Sequence, residues 1–105
     1  MDLVELVYKL TSSLPKEEKY GLVSQIQKCV VSIPSNIAEG AGRNSNKEFK
    51  YFLSIANGSS NELSTQLYLC IRIGYINEND VNEIFELLTE IQKINFTLIK
   101  KFSNL

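Results

Sequence analysis

Glu39 and Arg43 stand four residues apart in the stretch SIPSNIAEGAGR (residues 32–43), and Asn61, Glu62 and Gln66 punctuate SIANGSSNELSTQ (residues 54–66). One carboxylate pair, Glu39 with Glu62, is the least that could hold a cation or move a proton. Helix bundles that perform redox or hydrolytic chemistry add Glu-x-x-His pairs. This chain has no histidine, so it lacks the commonest base and metal ligand. Cys29 and Cys70 are isolated within apolar helical patterns and do not make a zinc site; they read as buried free thiols of a cytoplasmic protein. The sequence contains neither G-x-x-x-x-G-K-[ST] nor G-x-S-x-G. The expectation is a protein that is not an enzyme, with no catalytic residue, no cofactor and no metal. Asn36, Glu39, Arg43, Glu62 and Gln66 then form a polar layer that fixes helix register or assembly, with Glu39 and Arg43 as a ready i,i+4 ion pair.

A second chemistry is phosphate recognition. Residues 1–76 hold 8 basic against 7 acidic side chains. Arg43, Lys47 and Lys50 cluster about one loop, and Lys28, with Lys16 and Lys19, could extend the surface. These residues are candidate contacts to nucleic acid or to a nucleic-acid-processing partner. The whole chain argues the other way, with 11 Lys and Arg against 12 Asp and Glu, because nucleic-acid binders usually carry a basic excess.

The elements that position these residues follow from apolar spacing. Leu3, Leu6, Val7 and Leu10 recur at i, i+3, i+4, i+7 and predict a first helix over about 2–12. TSSLP ends it, and Pro15 suits the first turn of a second helix, with Glu17 and Glu18 at its positive end. Val23, Ile26, Val30, Ile33 and Ile37 carry that helix on through Pro34, with a kink expected there, to EGAGR, where Gly40 and Gly42 suit its C-terminus. Ser45 followed by Glu48 is a capping box. It opens a third helix marked by Phe49, Leu53, Ala56, Ser60, Leu63, Leu67 and Cys70, which closes at Gly74. Asn77 or Asn79 caps a fourth helix carrying Val81, Ile84, Leu88, Ile91, Leu98 and Phe102.

The prediction is all-α: an antiparallel up-down four-helix bundle with a short first helix, one domain spanning 1–105. The first helix reaches about 18 Å and the others roughly 40 Å. Late in helix four, Ile91, Ile94, Phe96, Leu98, Ile99 and Phe102 cover about 200°, more than one buried face requires. Surplus apolar surface points to a partner, most simply another copy, with Phe96, Ile99 and Phe102 on the oligomer surface. Gly58 in mid-helix costs about 1 kcal/mol against alanine, which close packing on another helix, in this chain or a neighbour, would offset. No signal peptide and no bilayer-spanning stretch is expected, so the protein is placed in the cytoplasm and off the membrane.

Together S-I-P-S-N-I-A-E-G-A-G-R, S-N-K-E-F, F-L-S-I-A-N-G-S-S-N-E-L-S-T-Q-L and G-Y-I, with the upstream Y-K-L-T-S-S-L-P-K-E-E-K-Y-G-L-V-S-Q-I, resemble the four-helix-bundle proteins encoded in intervening sequences of bacterial 23S rRNA genes. The resemblance covers roughly residues 8–76. It implies a cytoplasmic ring-like homopentamer without catalytic residues. The chain is also similar to the accessory variability determinant of diversity-generating retroelements, which implies RNA or a reverse transcriptase as partner. Those relatives are basic, whereas this chain carries a net charge of −1.

Overall fold

The computed structural model describes residues 2–103. Four α-helices form: α1 (Asp2–Thr11), α2 (Leu22–Ala41), α3 (Asn46–Ile73) and α4 (Asn82–Ser103). The pairs Cys29–Ser59 and Gly40–Phe52 show that α2 and α3 run in opposite directions. Tyr68–Phe85, Asn61–Gln92, Asn57–Asn95 and Phe49–Phe102 show the same for α3 and α4. The periodic apolar positions point inward. Leu3 and Val7 of α1, Ile26, Val30 and Ile33 of α2, Leu53, Ala56, Leu63, Leu67 and Cys70 of α3, and Ile84 and Leu88 of α4 are all buried. Each large aliphatic side chain so buried contributes about 1.5–3 kcal/mol. The molecule is 47 Å long, about the ~42 Å span of the 28-residue α3 at 1.5 Å per residue. The 10-residue α1 covers only about 15 Å of that length, so the far part of the bundle has three walls.

Two expected helix starts differ. Pro15, with ψ 144°, is extended and begins a separate 3-10 turn, Lys16–Glu18, closed by i→i+3 bonds from Glu18, Lys19 and Gly21. Gly21 (φ −108°, ψ −104°) then redirects the chain into α2. The fourth helix is likewise preceded by a 3-10 turn, Glu78–Asp80, in which the Asp80 carboxylate accepts from the Asn77 N–H at 3.0 Å. Each interruption is stapled by one buried apolar residue, Leu14 or Ile76. These turns shorten α2 and α4 relative to the roughly 40 Å expected.

Other local signals hold. α2 runs continuously through Pro34. The Ser45 side chain accepts from the Glu48 N–H at 3.1 Å, while the Glu48 carboxylate turns toward Arg43 rather than back to Ser45. Gly74 (φ 93°) ends α3: its N–H reaches the Ile71 carbonyl and the Tyr75 N–H the Cys70 carbonyl, the paired bonds of a Schellman ending. Gly42 caps the C-terminus of α2 as expected, whereas Gly40 has another role. Gly40 does not end α2; it is a buried contact whose absent side chain lets Phe49 and Phe52 close on the helix backbone. Gly58 packs on nothing in the chain, since a Cβ built there meets no atom within 4 Å.

Candidate functional site

The five residues expected to form one polar layer make two short-range pairs and one bond within a helix. Glu39 and Arg43 pair at 2.5 Å on the exposed end of α2, and Arg43 also lies 4.0 Å from Glu48 and 5.2 Å above the Phe52 ring. An exposed pair of this kind contributes about 0.2–1 kcal/mol. The Asn36 amide donates to the Ser32 carbonyl of its own helix at 2.8 Å. The Gln66 amide donates to the Glu62 carboxylate one turn earlier on α3 at 3.4 Å, while its buried Oε1 has no partner among the described residues. Each of these side chains finds a partner within its own helix or hairpin end.

Other residues build the polar contacts between helices. On the α2–α3 seam the Ser32 hydroxyl donates to the Ser59 hydroxyl at 2.5 Å, and the Cys29 thiol donates to the Ser59 carbonyl at 3.0 Å. On the α3–α4 seam the Asn95 amide donates to the Asn57 carbonyl oxygen at 2.9 Å and Gln92 to Asn61 at 2.7 Å. Asn57 and Asn95 are both buried, and the second polar atom of Asn57, Nδ2, has no partner among the described residues. Asn95 was open to detection. It falls at the one skipped step of the series Val81, Ile84, Leu88, Ile91, Leu98, Phe102.

The thiols are buried as expected. Burial first, and then the nearby Glu62 carboxylate, push Cys29 from its ordinary 9.0 up to about 11. Burial likewise raises Cys70, with the Glu18 carboxylate adding to it. Such thiols remain protonated at neutral pH and are poor nucleophiles. Tyr75 donates to the Glu18 carboxylate at 2.9 Å, a bond that favours the protonated phenol and raises its pKa. Among the described residues no three His, Cys, Asp or Glu side chains gather in a way that could hold a metal ion. No helix there is long and apolar enough to cross a membrane.

The basic candidates separate. Lys28 sits in α2, 13 residues before its end at Ala41, roughly 20 Å from the loop that carries Arg43 at 1.5 Å per residue, in a shallow depression beside Tyr8 and Val31. Lys47 and Lys50 lie in the first turns of α3 at the opposite end of the bundle. Of the expected oligomer surface, Phe96 is 61% exposed, Ile99 is half-buried, and Phe102 packs on Phe49 of its own chain with ring centroids 5.3 Å apart.

The sequence profile of the 23S rRNA-intervening sequence proteins matches residues 1–97. The chain belongs to that family. A solved structure of another such four-helix chain, described as a protein with unknown function from the S23 ribosomal protein family of Bacteroides thetaiotaomicron, superposes with a TM-score of 0.85. It is 31% identical, and the match covers 94% of this chain and 93% of the other. No curated protein matches the chain. The family match extends into α4, past the segments in which the sequence motifs are concentrated.

Proposed function

We propose that this 23S rRNA-intervening sequence protein is a non-catalytic cytoplasmic scaffold that works as a ring-like homo-oligomer, a pentamer, and acts by binding. The supporting observation is the apolar surface of α4 around the buried Asn95: Ile94 is 53% exposed and Phe96 61% exposed, on opposite flanks of the same helix. Residues this apolar and this exposed are costly in a lone chain and gain about 25 cal/mol for each Å² covered. The short α1 leaves the flank bearing Ile94 open, and Gly58 leaves the neighbouring face of α3 without side-chain bulk. A second copy of the chain is the simplest cover for both.

The test is absolute mass by light scattering on a sizing column, at low and high salt. The reading expects about five times the 11.9 kDa chain mass, unchanged by salt, because the contact is apolar. Ile94→Asp with Phe96→Asp should shift the mass toward that of one chain while the helical signal persists. A single-chain mass for the unaltered protein at micromolar concentration would overturn the proposal.

A further inference from the structure

The α2–α3 loop and the last turns of α4 meet at one end of the bundle, joined by the packing of Phe49 on Phe102. This brings Lys100 and Lys101 to the end that already carries Arg43, Lys47 and Lys50. The acids there are Glu39 and Glu48, and both are within 4.0 Å of Arg43. Arg43 is thereby paired within its own chain. The four lysines have no carboxylate within that distance among the described residues. At the opposite end Glu17, Glu18, Glu78, Asp80 and Glu83 stand with Lys9, Lys16, Lys19 and Arg72, close to balance. The balanced net charge of −1 therefore conceals an excess of lysines at the α2–α3 loop end.

An aromatic ring stands among these lysines. Tyr51 follows Lys47 by four residues on α3 and so shares its face. Its ring is 62% exposed and is held edge-on against Phe52, with centroids 5.3 Å apart. Unpaired lysines that repel one another gain when phosphates neutralise them. An exposed, positioned ring offers a face on which a base can stack. A strand with both phosphates and unstacked bases would use both.

We infer that this end of the bundle binds single-stranded nucleic acid, with Lys47, Lys50, Lys100 and Lys101 on the phosphates and Tyr51 stacked on a base. Each copy carries the whole surface, so the inference stands apart from self-association.

The experiment is fluorescence anisotropy of the full chain with a labelled single-stranded RNA of about 20 nucleotides, a length that spans one such site. Four phosphate contacts, at about 0.7 of a logarithmic unit each, predict a roughly 50-fold loss of affinity between 50 and 200 mM salt. Lys47→Ala with Lys50→Ala should bind more weakly and lose only about 7-fold over the same range. Tyr51→Ala should weaken binding roughly 5- to 150-fold with the salt slope unchanged. Lys16→Ala with Lys19→Ala, at the opposite end, should bind as the unaltered chain does. Helical content measured on each variant separates lost contacts from lost folding. Absence of binding at 50 mM salt would overturn the inference, as would equal weakening by the Lys16 and Lys19 pair. Binding to anionic vesicles that competes fully with RNA and ignores Tyr51→Ala would also overturn it, by assigning the lysines to a lipid surface.

Discussion

Adding one methyl group at Gly40 and at Gly58 should move stability in opposite directions, although both are mid-sequence helical glycines flanked by small residues. At Gly40 a Cβ would lie 2.7 Å from the Phe52 Cβ, 3.0 Å from Cδ1 of Phe49 and 3.4 Å from the Phe49 carbonyl oxygen. Carbon atoms pack best at about 3.5–4.0 Å, so the first contact is short by about 1 Å. The Phe52 Cβ is fixed to its own backbone and cannot rotate aside, and α2 and α3 must separate. Overpacking of this kind costs about 1–3 kcal/mol, against a gain of about 1 kcal/mol in helix propensity. The cost is purely steric, because Gly74 alone has a positive φ. Gly40→Ala is therefore expected to destabilise by up to about 2 kcal/mol, which lowers the melting temperature by up to ~16 °C for a domain of this size. At Gly58 nothing lies within 4 Å, and Gly58→Ala should keep the full propensity gain of up to ~1 kcal/mol. Thermal melts followed by circular dichroism, at one dilute protein concentration, read both. A Gly40→Ala protein stabilised as much as Gly58→Ala would refute the close contact and the α2–α3 register on which it rests. If copies associate over the α3 face, Gly58→Ala should also lower the associated mass while stabilising the separate chain.

Other substitutions test individual contacts. Ser45→Ala removes the acceptor for the Glu48 N–H and should cost about 1 kcal/mol in urea titration. Asn95→Leu leaves the buried Asn57 amide without its partner, at about 1–3 kcal/mol, and adding Asn57→Leu should return most of that loss. Stability should be level up to about pH 9 and fall as pH rises toward 11, because Cys29 keeps its proton in the folded chain after the unfolded chain has lost it. Cys70 and Tyr75 are raised in the same direction and add to the fall. Cys29→Ala should flatten the profile, and an unchanged slope would show that the thiol is not desolvated.

Local rules carried most of the architecture. The third helix follows from three features in the sequence: Ser45 as cap, a 4-3 apolar alternation, and Gly74, whose left-handed φ only glycine adopts freely. Helix two survives Pro34 because apolar residues on both sides hold it against the rest of the bundle. The misread starts at Pro15 and Asn77 share a cause. Proline and an acidic first turn suit an α-helix and a 3-10 turn equally, and the choice is made by Leu14 and Ile76 docking into the core from the turn. The basic end was half visible. Arg43, Lys47 and Lys50 are close in sequence, whereas Lys100 and Lys101 join them only through the meeting of α3 and α4.

The polar seams show why the binding residues and the packing residues changed places. A charged or amide side chain on a semi-apolar face looks like a member of an interior layer, yet Asn36 and Gln66 each find a partner one turn away on the same helix, and Glu39 finds Arg43 just past the end of α2. A hydrogen bond that close in sequence costs little order to form and competes successfully with a bond across the bundle. Asn95 has no such option. It occupies a core position where the apolar rhythm requires burial, and an unpartnered amide there would cost about 1–3 kcal/mol. Its one acceptor comes from Asn57, 38 residues away, which fixes α4 against α3 at a single register. A register held by one asymmetric amide pair also fixes which side chains of α4 turn outward. Ile94 and Phe96 are outside because Asn95 is inside, so the residue that the apolar pattern skips sets the surface through which copies are proposed to meet.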